Sequence, residues 1–115
     1  MNNKELNQEL YNKLVEEENR FIEDLKKRTV EDILMHGYAF EYTMRQDILF
    51  VMEYLELSDA QVRALLMSET PLEDLYRRVS AHVGYIEDME ACIDETATLM
   101  ANKISEEDAA WATRN

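Results

Sequence analysis

Few side chains in this sequence are of the types that carry out chemistry, and their spacing favours structure over reaction. His36 and His82 are the only histidines, with Asp32 one helical turn before the first and Arg78 one turn before the second. An acid and a histidine four residues apart form an ordinary pair on a helix surface. We therefore predict no catalytic role for either histidine.

Cofactor and nucleophile motifs are missing as well. The single cysteine, Cys92, cannot form an intramolecular disulfide, and two isolated glycines cannot build a phosphate-binding loop. A di-iron bundle needs a Glu three residues before a His, and neither histidine has one. The sequence predicts no catalytic residue, no cofactor and no enzyme.

Carboxylates are the abundant chemical group. Glu87, Glu90 and Asp94 fall on one stripe of a predicted helix, and Asp88 and Glu95 lie alongside; we call these five residues the acidic stripe. Neighbours on such a stripe lie about 5–6 Å apart. They could hold a divalent cation weakly, but no loop of alternating oxygen ligands encloses one, so we predict no metal site.

The acidic stripe has two other interpretations. Its carboxylate spacing is comparable, to within a factor of about two, with the charge spacing on nucleic acid. A helix of this kind can occupy the basic groove of a nucleic-acid-binding protein. The alternative is that the stripe is the solvated outer face of a long helix and serves only solubility.

Aromatic residues offer a second set of candidates. Tyr38, Phe40, Tyr42 and Tyr54 either belong to the core or form an exposed patch of the composition usual for interface anchors. Trp111, the single tryptophan, follows an acidic run near the end of the sequence. It either docks on the body of the protein or is open to a partner.

The net charge narrows the classes of partner. The 115 residues include 25 acids and 12 bases, for a formal charge of −13, and the run Lys26-Lys27-Arg28 is the only basic cluster. Such a surface repels nucleic acid and anionic membranes, so we expect direct binding to neither. The partners that the charge leaves favourable are a basic protein surface, a cation or a neutral groove.

Composition also indicates the number of domains and the cellular compartment. A hydrophobic content of 46% with 32% charged residues is typical of one globular domain. The longest uncharged apolar run, residues 48–52, is far shorter than a membrane span, and the polar N-terminus has no apolar signal segment. We expect a cytoplasmic protein.

The pattern of apolar residues predicts helices throughout. A first helix is expected from about Lys4 to Lys27, with an apolar stripe of leucines and with Glu16, Glu17 and Glu18 on its solvated side. Thr29 is expected to cap a second helix. Gly37, in the middle of that helix, indicates close packing against a neighbour.

Further capping signals divide the rest of the chain. Thr43 predicts a break or kink, Ser58 begins a short helix, and Thr70 followed by proline begins a helix that runs to about Ile104. We expect a compact all-α bundle of four to six helices with a long C-terminal helix. Residues 1–104 would form one domain, and residues 105–115 an acidic tail.

Three segments resemble an uncharacterised family of small acidic helical proteins. They are residues 4–14 (KELNQELYNKL), residues 47–61, which begin DIL and end LSDAQ, and residues 71–76 (PLEDLY). The resemblance covers the chain from Lys4 to about Ala101. It implies a cytoplasmic helical protein from gut Firmicutes, often encoded near mobile elements, and it supplies no catalytic residues.

Taken together, these observations predict a non-enzymatic protein that binds another macromolecule. The sharper form is an acidic inhibitor or regulator that occupies a basic, nucleic-acid-binding surface of a partner protein. The alternative is a helical scaffold or homodimer with an apolar interface, formed by the Leu/Phe side of the first helix or by the aromatic patch, without nucleic-acid mimicry.

Overall fold

The chain folds as a series of helices joined by short connections. The computed structural model describes the backbone of residues 1–81 and 86–114 and the side chains of residues 1–81 and 88–105. These ranges contain no strand, and their helices are α1 (Asn3–Lys26), α2 (Val30–Met35), α3 (Tyr38–Met52), α4 (Asp59–Met67), α5 (Pro71–Ser80) and α6 (Ile86–Arg114). The predicted all-α bundle with a long C-terminal helix is confirmed. His82, Gly84 and the side chains of Glu87 and Trp111 lie outside the described residues.

Two of the predicted helix starts form as the sequence indicates. The hydroxyl of Thr29 accepts a hydrogen bond from the backbone N–H of Asp32 (3.1 Å) at the start of α2. Ser58 and Gln61 form a reciprocal capping box at the start of α4. These side chains satisfy N–H groups that have no partner within their own helix, which is why each helix begins there.

Gly37 has a different role from the predicted one. It separates α2 from α3 in a left-handed conformation (φ 72°), and no atom lies within 4 Å of where a Cβ would stand. Close packing is therefore the wrong explanation, and the positive φ is the right one. Of the break or kink expected near Tyr42 and Thr43, the break is wrong, because α3 continues from Tyr38 to Met52. The Thr43 hydroxyl donates to the carbonyl of Ala39 (3.1 Å).

The long helix predicted from Pro71 to about Ile104 is two helices. α5 ends at Ser80, and α6 begins at Ile86 and continues to Arg114. The two helices pack against each other. Two halves of one straight helix could not pack against each other, so α5 and α6 are separate helices.

The core draws on every helix except α2. Leu10, Leu14, Ile48, Leu65, Leu75 and Ile93 are among its fully enclosed side chains. The apolar stripe predicted for the first helix is confirmed for its first half, where the leucines at three positions are buried. At about 1.5–3 kcal/mol for each large apolar side chain buried, this core is the main source of stability.

Glu17 and Glu18 are buried, whereas the sequence placed them on the solvated side of α1. They surround Arg45 of α3, which is itself only 4% exposed, together with Glu41 of α3 and Glu73 of α5. We call these five residues the Arg45 cluster. A charge removed from water needs an opposite charge beside it, so the acids and the guanidinium are buried together.

The guanidinium of Arg45 touches all four carboxylates of its cluster. Its Nε donates to Glu41 (2.8 Å), and one Nη donates to Glu73. The other Nη lies 3.7 Å from Glu18 and 4.0 Å from Glu17, which is longer than a hydrogen bond. The cluster thereby joins α1, α3 and α5 through one side chain.

Glu17 also caps α5. Its two carboxylate oxygens accept the backbone N–H groups of Leu72 and Glu73, each at 2.8 Å. Thr70, the predicted cap, makes no side-chain hydrogen bond to the helix, although Pro71 occupies the first helical position as expected. A carboxylate at a helix N-terminus also interacts favourably with the helix dipole.

The environment of Glu18 favours its protonated form. Burial is the largest effect and raises the pKa of its carboxyl above the ordinary value. The hydrogen bond that Gln46 donates (2.6 Å) and the charge of Arg45 lower the pKa, while the charges of Glu41 and Glu17 raise it further. The raised pKa is the net result.

Replacing Arg45 by methionine should destabilise the fold by about 3–5 kcal/mol, because the substitution leaves buried carboxylates without their counter-charge. The matched control is Arg77→Met, which removes an exposed partner of the same Glu73 carboxylate (3.0 Å). We expect the control to cost less than about 1 kcal/mol. Urea unfolding of both variants measures the difference, and equal losses would contradict the role given to Arg45.

Replacing Glu17 by alanine should cost about 1–2 kcal/mol, because two N–H groups of α5 lose their acceptor. Glu16, the exposed neighbour on the same helix, supplies the control Glu16→Ala, for which we expect a change within about 0.5 kcal/mol. Chemical denaturation measures both free energies of unfolding. A Glu17 variant as stable as its control would show that Thr70 or water caps α5 adequately.

Replacing Glu18 by glutamine should change how stability depends on pH. Because the folded protein holds the Glu18 proton more tightly than the unfolded chain, its contribution is full below the ordinary Glu pKa and is lost as pH rises through the raised value. The variant has no such loss, so its stability relative to the native protein should increase from acidic to neutral pH. Unfolding free energies at several pH values test this, and a constant difference would refute it.

Candidate functional site

The acidic stripe lies on α6 but divides into two rows. Residues on a helix turn by about 100° each, so Glu90 and Asp94 share one row and Asp88 and Glu95 share another, on opposite flanks of the solvent-facing side. Asp88, Asp94 and Glu95 are exposed, and Glu90 is half-buried. The side chain of Glu87 lies outside the described residues.

Hydrogen bonds from the rest of the fold hold the row formed by Glu90 and Asp94. The amide of Gln61 donates to the carboxylate of Asp94 (2.9 Å) and to its backbone carbonyl (3.1 Å). The hydroxyl of Tyr54 bonds to Glu90, and this hydrogen bond is the largest cause that raises the pKa of Tyr54. Gln61 thereby orients the carboxylate of Asp94, whereas Asp88 and Glu95 are exposed to solvent.

The predicted aromatic anchors lie in two places. Tyr38 is half-buried with the guanidinium of Arg28 over its ring (4.5 Å from the centroid), and Phe40 and Tyr42 are exposed near the start of α3. Tyr54 follows the other end of α3, about 20 Å away at 1.5 Å per residue. The structure therefore does not bring the four residues into one patch.

Tyr54 belongs to a separate small surface beside α6. Its ring packs edge-to-face on Phe50 (centroids 5.9 Å apart), and both rings are about half exposed. The hydrogen bond to Glu90 links this pair to the acidic stripe. The side chain of Trp111, the fifth predicted anchor, lies outside the described residues.

An open groove of about 710 Å³ runs between the start of α1 and the connection from α3 to α4. The side-chain amides of Asn3 and Asn7 each donate to the carbonyl of Leu57 (2.9 and 3.0 Å), and the hydroxyl of Tyr11 donates to Glu53 (3.1 Å). None of the described residues that line the groove is a His, Cys, Ser or Thr. The amides of Asn3 and Asn7 thereby attach the connection between α3 and α4 to α1.

The remaining chemical candidates show ordinary geometry. His36 is exposed and pairs with Asp32 of the preceding turn (3.2 Å), as its spacing predicts. Within residues 1–81 and 88–105, no three side chains of the metal-ligating types converge on a site for an ion.

The sequence did carry a signal for the buried acids. Glu17 and Glu18 stand three and four residues after Leu14, which places them on the apolar stripe of α1 rather than opposite it. Acids on such a stripe need a buried cation. Nothing local identifies Arg45 as that cation, because it comes from another helix.

The α2 helix shows a surface that the sequence did not single out. Every residue of α2 is described, and none of them is buried. Val30, Leu34 and Met35 are each about 70% exposed (68–73%). Ile33 is half-buried, while the other apolar side chains of this short helix, Val30, Leu34 and Met35, are open to solvent.

The fold and its surfaces define a small all-α protein with a strongly acidic exterior. The chain belongs to a family described as a protein of unknown function (DUF3848), which it matches over residues 6–101. No curated protein and no solved structure matches the chain. In the part that the structure describes, no helix combines the length and the apolar character needed to cross a membrane.

Proposed function

We propose that this chain is a non-enzymatic binding protein whose acidic face on α6 docks on a basic surface of a partner protein. In its sharper form it is an inhibitor or regulator that occupies a nucleic-acid-binding surface. The observation that carries the proposal is the placement of Asp88, Glu90, Asp94 and Glu95 along the accessible sides of one helix, in a chain of net charge −13.

Preorganisation supports the proposal. The side-chain amide of Gln61 orients the carboxylate of Asp94, so this carboxylate loses less conformational freedom when a partner binds. The exposed Asp88 and Glu95 are free to follow Lys or Arg side chains of the partner. A basic groove that exchanges its bound counterions for these carboxylates gains affinity as it does on nucleic acid.

The class of partner, the cellular location and the origin of the gene are part of the same proposal. The repulsion of an acidic surface for nucleic acid and anionic lipid makes a protein partner the consistent choice, and a cytoplasmic location suits it. An origin in gut Firmicutes, with the gene near a mobile element, would make host or rival machinery the target.

The alternative function is a helical scaffold or homodimer with an apolar interface. One version of it used the Leu/Phe side of α1, but Leu6, Leu10 and Leu14 are buried in the core and are not available to a partner. The other version used a single aromatic patch, which the structure divides in two. We therefore place the acidic face first.

The test is charge reversal on the exposed row, Asp88→Lys with Glu95→Lys. Reversal at Glu90 or Asp94 would also disturb Tyr54 or Gln61, so those positions are less informative. In a pull-down from bacterial lysate with mass spectrometry, we expect the native protein to retain a basic nucleic-acid-binding protein that about 0.5 M salt releases, because salt screens exposed charge pairs. The double variant should lose that protein.

The matched control is Glu9→Lys with Glu16→Lys. These residues are exposed, stand seven positions apart on α1 as Asp88 and Glu95 do on α6, and change the net charge by the same amount. The control should retain the partner, and added nucleic acid should compete with it. Equal loss in both double variants would mean a general charge effect, and retention by both would refute a role for α6.

A further inference from the structure

The rings of Phe50 and Tyr54 form a small aromatic surface at the end of α3, on the side of α6. Their planes are nearly perpendicular, at 77°, and each residue is about half exposed. The two rings therefore present faces in two directions rather than one flat patch. Exposed rings that pack on each other are typical anchors for a partner, because they offer a large and rigid contact area.

The surroundings of this ring pair are acidic. Residues 46–62 contain four acids, residues 88–102 of α6 contain another four, and neither stretch contains Lys or Arg. Because α3 and α6 pack against each other, the two stretches are neighbours. Within the described residues none of these eight carboxylates forms an ion pair, and Lys4, which lines the groove beside Tyr54, pairs with none of them. A negative surface that the chain leaves without a counter-charge attracts a cation from outside.

Two other places in the chain show which cation a ring and a carboxylate hold together. Arg28 lies over the ring of Tyr38, 4.5 Å from the centroid, and donates to the carboxylate of Asp32 (3.1 Å). Arg45 lies over the ring of Phe21, 4.1 Å from the centroid, and bonds to the carboxylates of its cluster. In both places a guanidinium stacks on an aromatic ring while its N–H groups meet an acid.

The surface at Phe50 has the ring and the carboxylates of this arrangement without the guanidinium. Asp47 and Glu53 are exposed and stand three residues before and after Phe50, so both are neighbours of its ring along the helix. In the part of the chain that the structure describes, no guanidinium lies over Phe50 or Tyr54. A guanidinium is planar, stacks on ring faces and donates from its edge to a carboxylate, which the compact ammonium of lysine cannot do at once.

We propose that the Phe50–Tyr54 ring pair, with Asp47 and Glu53 beside it, binds an arginine side chain of the partner protein. The inference rests on the proposed function, since it names the side chain by which the basic partner is recognised. It extends the docking surface from α6 onto α3. Charge alone does not distinguish arginine from lysine, whereas the exposed rings favour arginine.

The experiment measures the binding of two synthetic probes to the full chain, an oligo-arginine and an oligo-lysine peptide of equal length and charge. Isothermal titration calorimetry at about 0.15 M salt gives both dissociation constants under conditions where exposed charges are screened beyond about 8 Å. The native protein is compared with Phe50→Leu and with the control Phe40→Leu. Phe50 and Phe40 lie on the same helix and are 55% and 49% exposed, and neither variant changes the net charge. Circular dichroism checks that each variant keeps the helical fold.

We expect the native protein to bind the arginine peptide about two- to fivefold more tightly than the lysine peptide, which is the size of a cation–ring contact at an exposed site. Phe50→Leu should weaken the arginine peptide by at least about twofold and leave the lysine peptide nearly unchanged, because only the stacked contact is lost. Phe40→Leu should keep both dissociation constants at their native values.

Three results would overturn the inference. They are equal affinity of the native protein for the two peptides, an arginine preference that Phe50→Leu leaves intact, and no binding of either peptide. The variant Asp88→Lys with Glu95→Lys judges the proposed function in the same assay. If it loses both peptides while the native protein binds them equally, the acidic face docks on basic groups and the ring pair has no part. If the preference depends on Phe50 and the double variant binds as the native protein does, the ring pair binds arginine and the exposed row of α6 is not the docking face.

Discussion

The packing of three helices depends on one buried guanidinium. Arg45 of α3 faces carboxylates from α1, α3 and α5, so none of these helices can be displaced without leaving a charge unpaired in the interior. Its plane also stacks over the ring of Phe21, 4.1 Å from the centroid, which covers it with apolar surface. Apolar contacts alone would tolerate several ways of packing these helices. The cluster restricts that choice, because the carboxylates of α1, α3 and α5 must all stay close to one guanidinium.

The acids of this protein therefore have two separate uses. Those around Arg45 face inward and are matched by a cation, and those on α6 face outward in a chain whose total charge is −13. Because the inward acids come from α1, α3 and α5 rather than α6, the outer charge can vary without altering the buried network. In the proposed function the exterior is free to adapt to a partner while the interior keeps the fold.

The sequence predicts those features that depend on residues close together in the chain, and it fails for features that depend on residues far apart. The caps at Thr29 and Ser58 are local, and both form as their side chains indicate. The cap of α5 comes from Glu17, 55 residues before Leu72, and no local pattern indicates that acceptor. The prediction for Gly37 was wrong, because a position with a positive φ and a position of close helix packing both favour glycine, and the sequence alone does not distinguish them. The two rows of the acidic stripe follow from helical geometry alone, but the contact of Gln61 with Asp94 depends on a residue 33 positions away, which only the packed fold brings close.

The cap that Glu17 provides also orders the folding process. A ten-residue helix such as α5 is too short to persist alone in water, and its first N–H groups have no acceptor until α1 arrives. Formation of α5 is therefore coupled to the docking of a segment far away in the chain, and closing that long loop opposes early assembly. The amides of Leu72 and Glu73 report directly on this step. Their exchange with solvent deuterium follows the separation of α1 from α5 and not the fraying of α5 by itself.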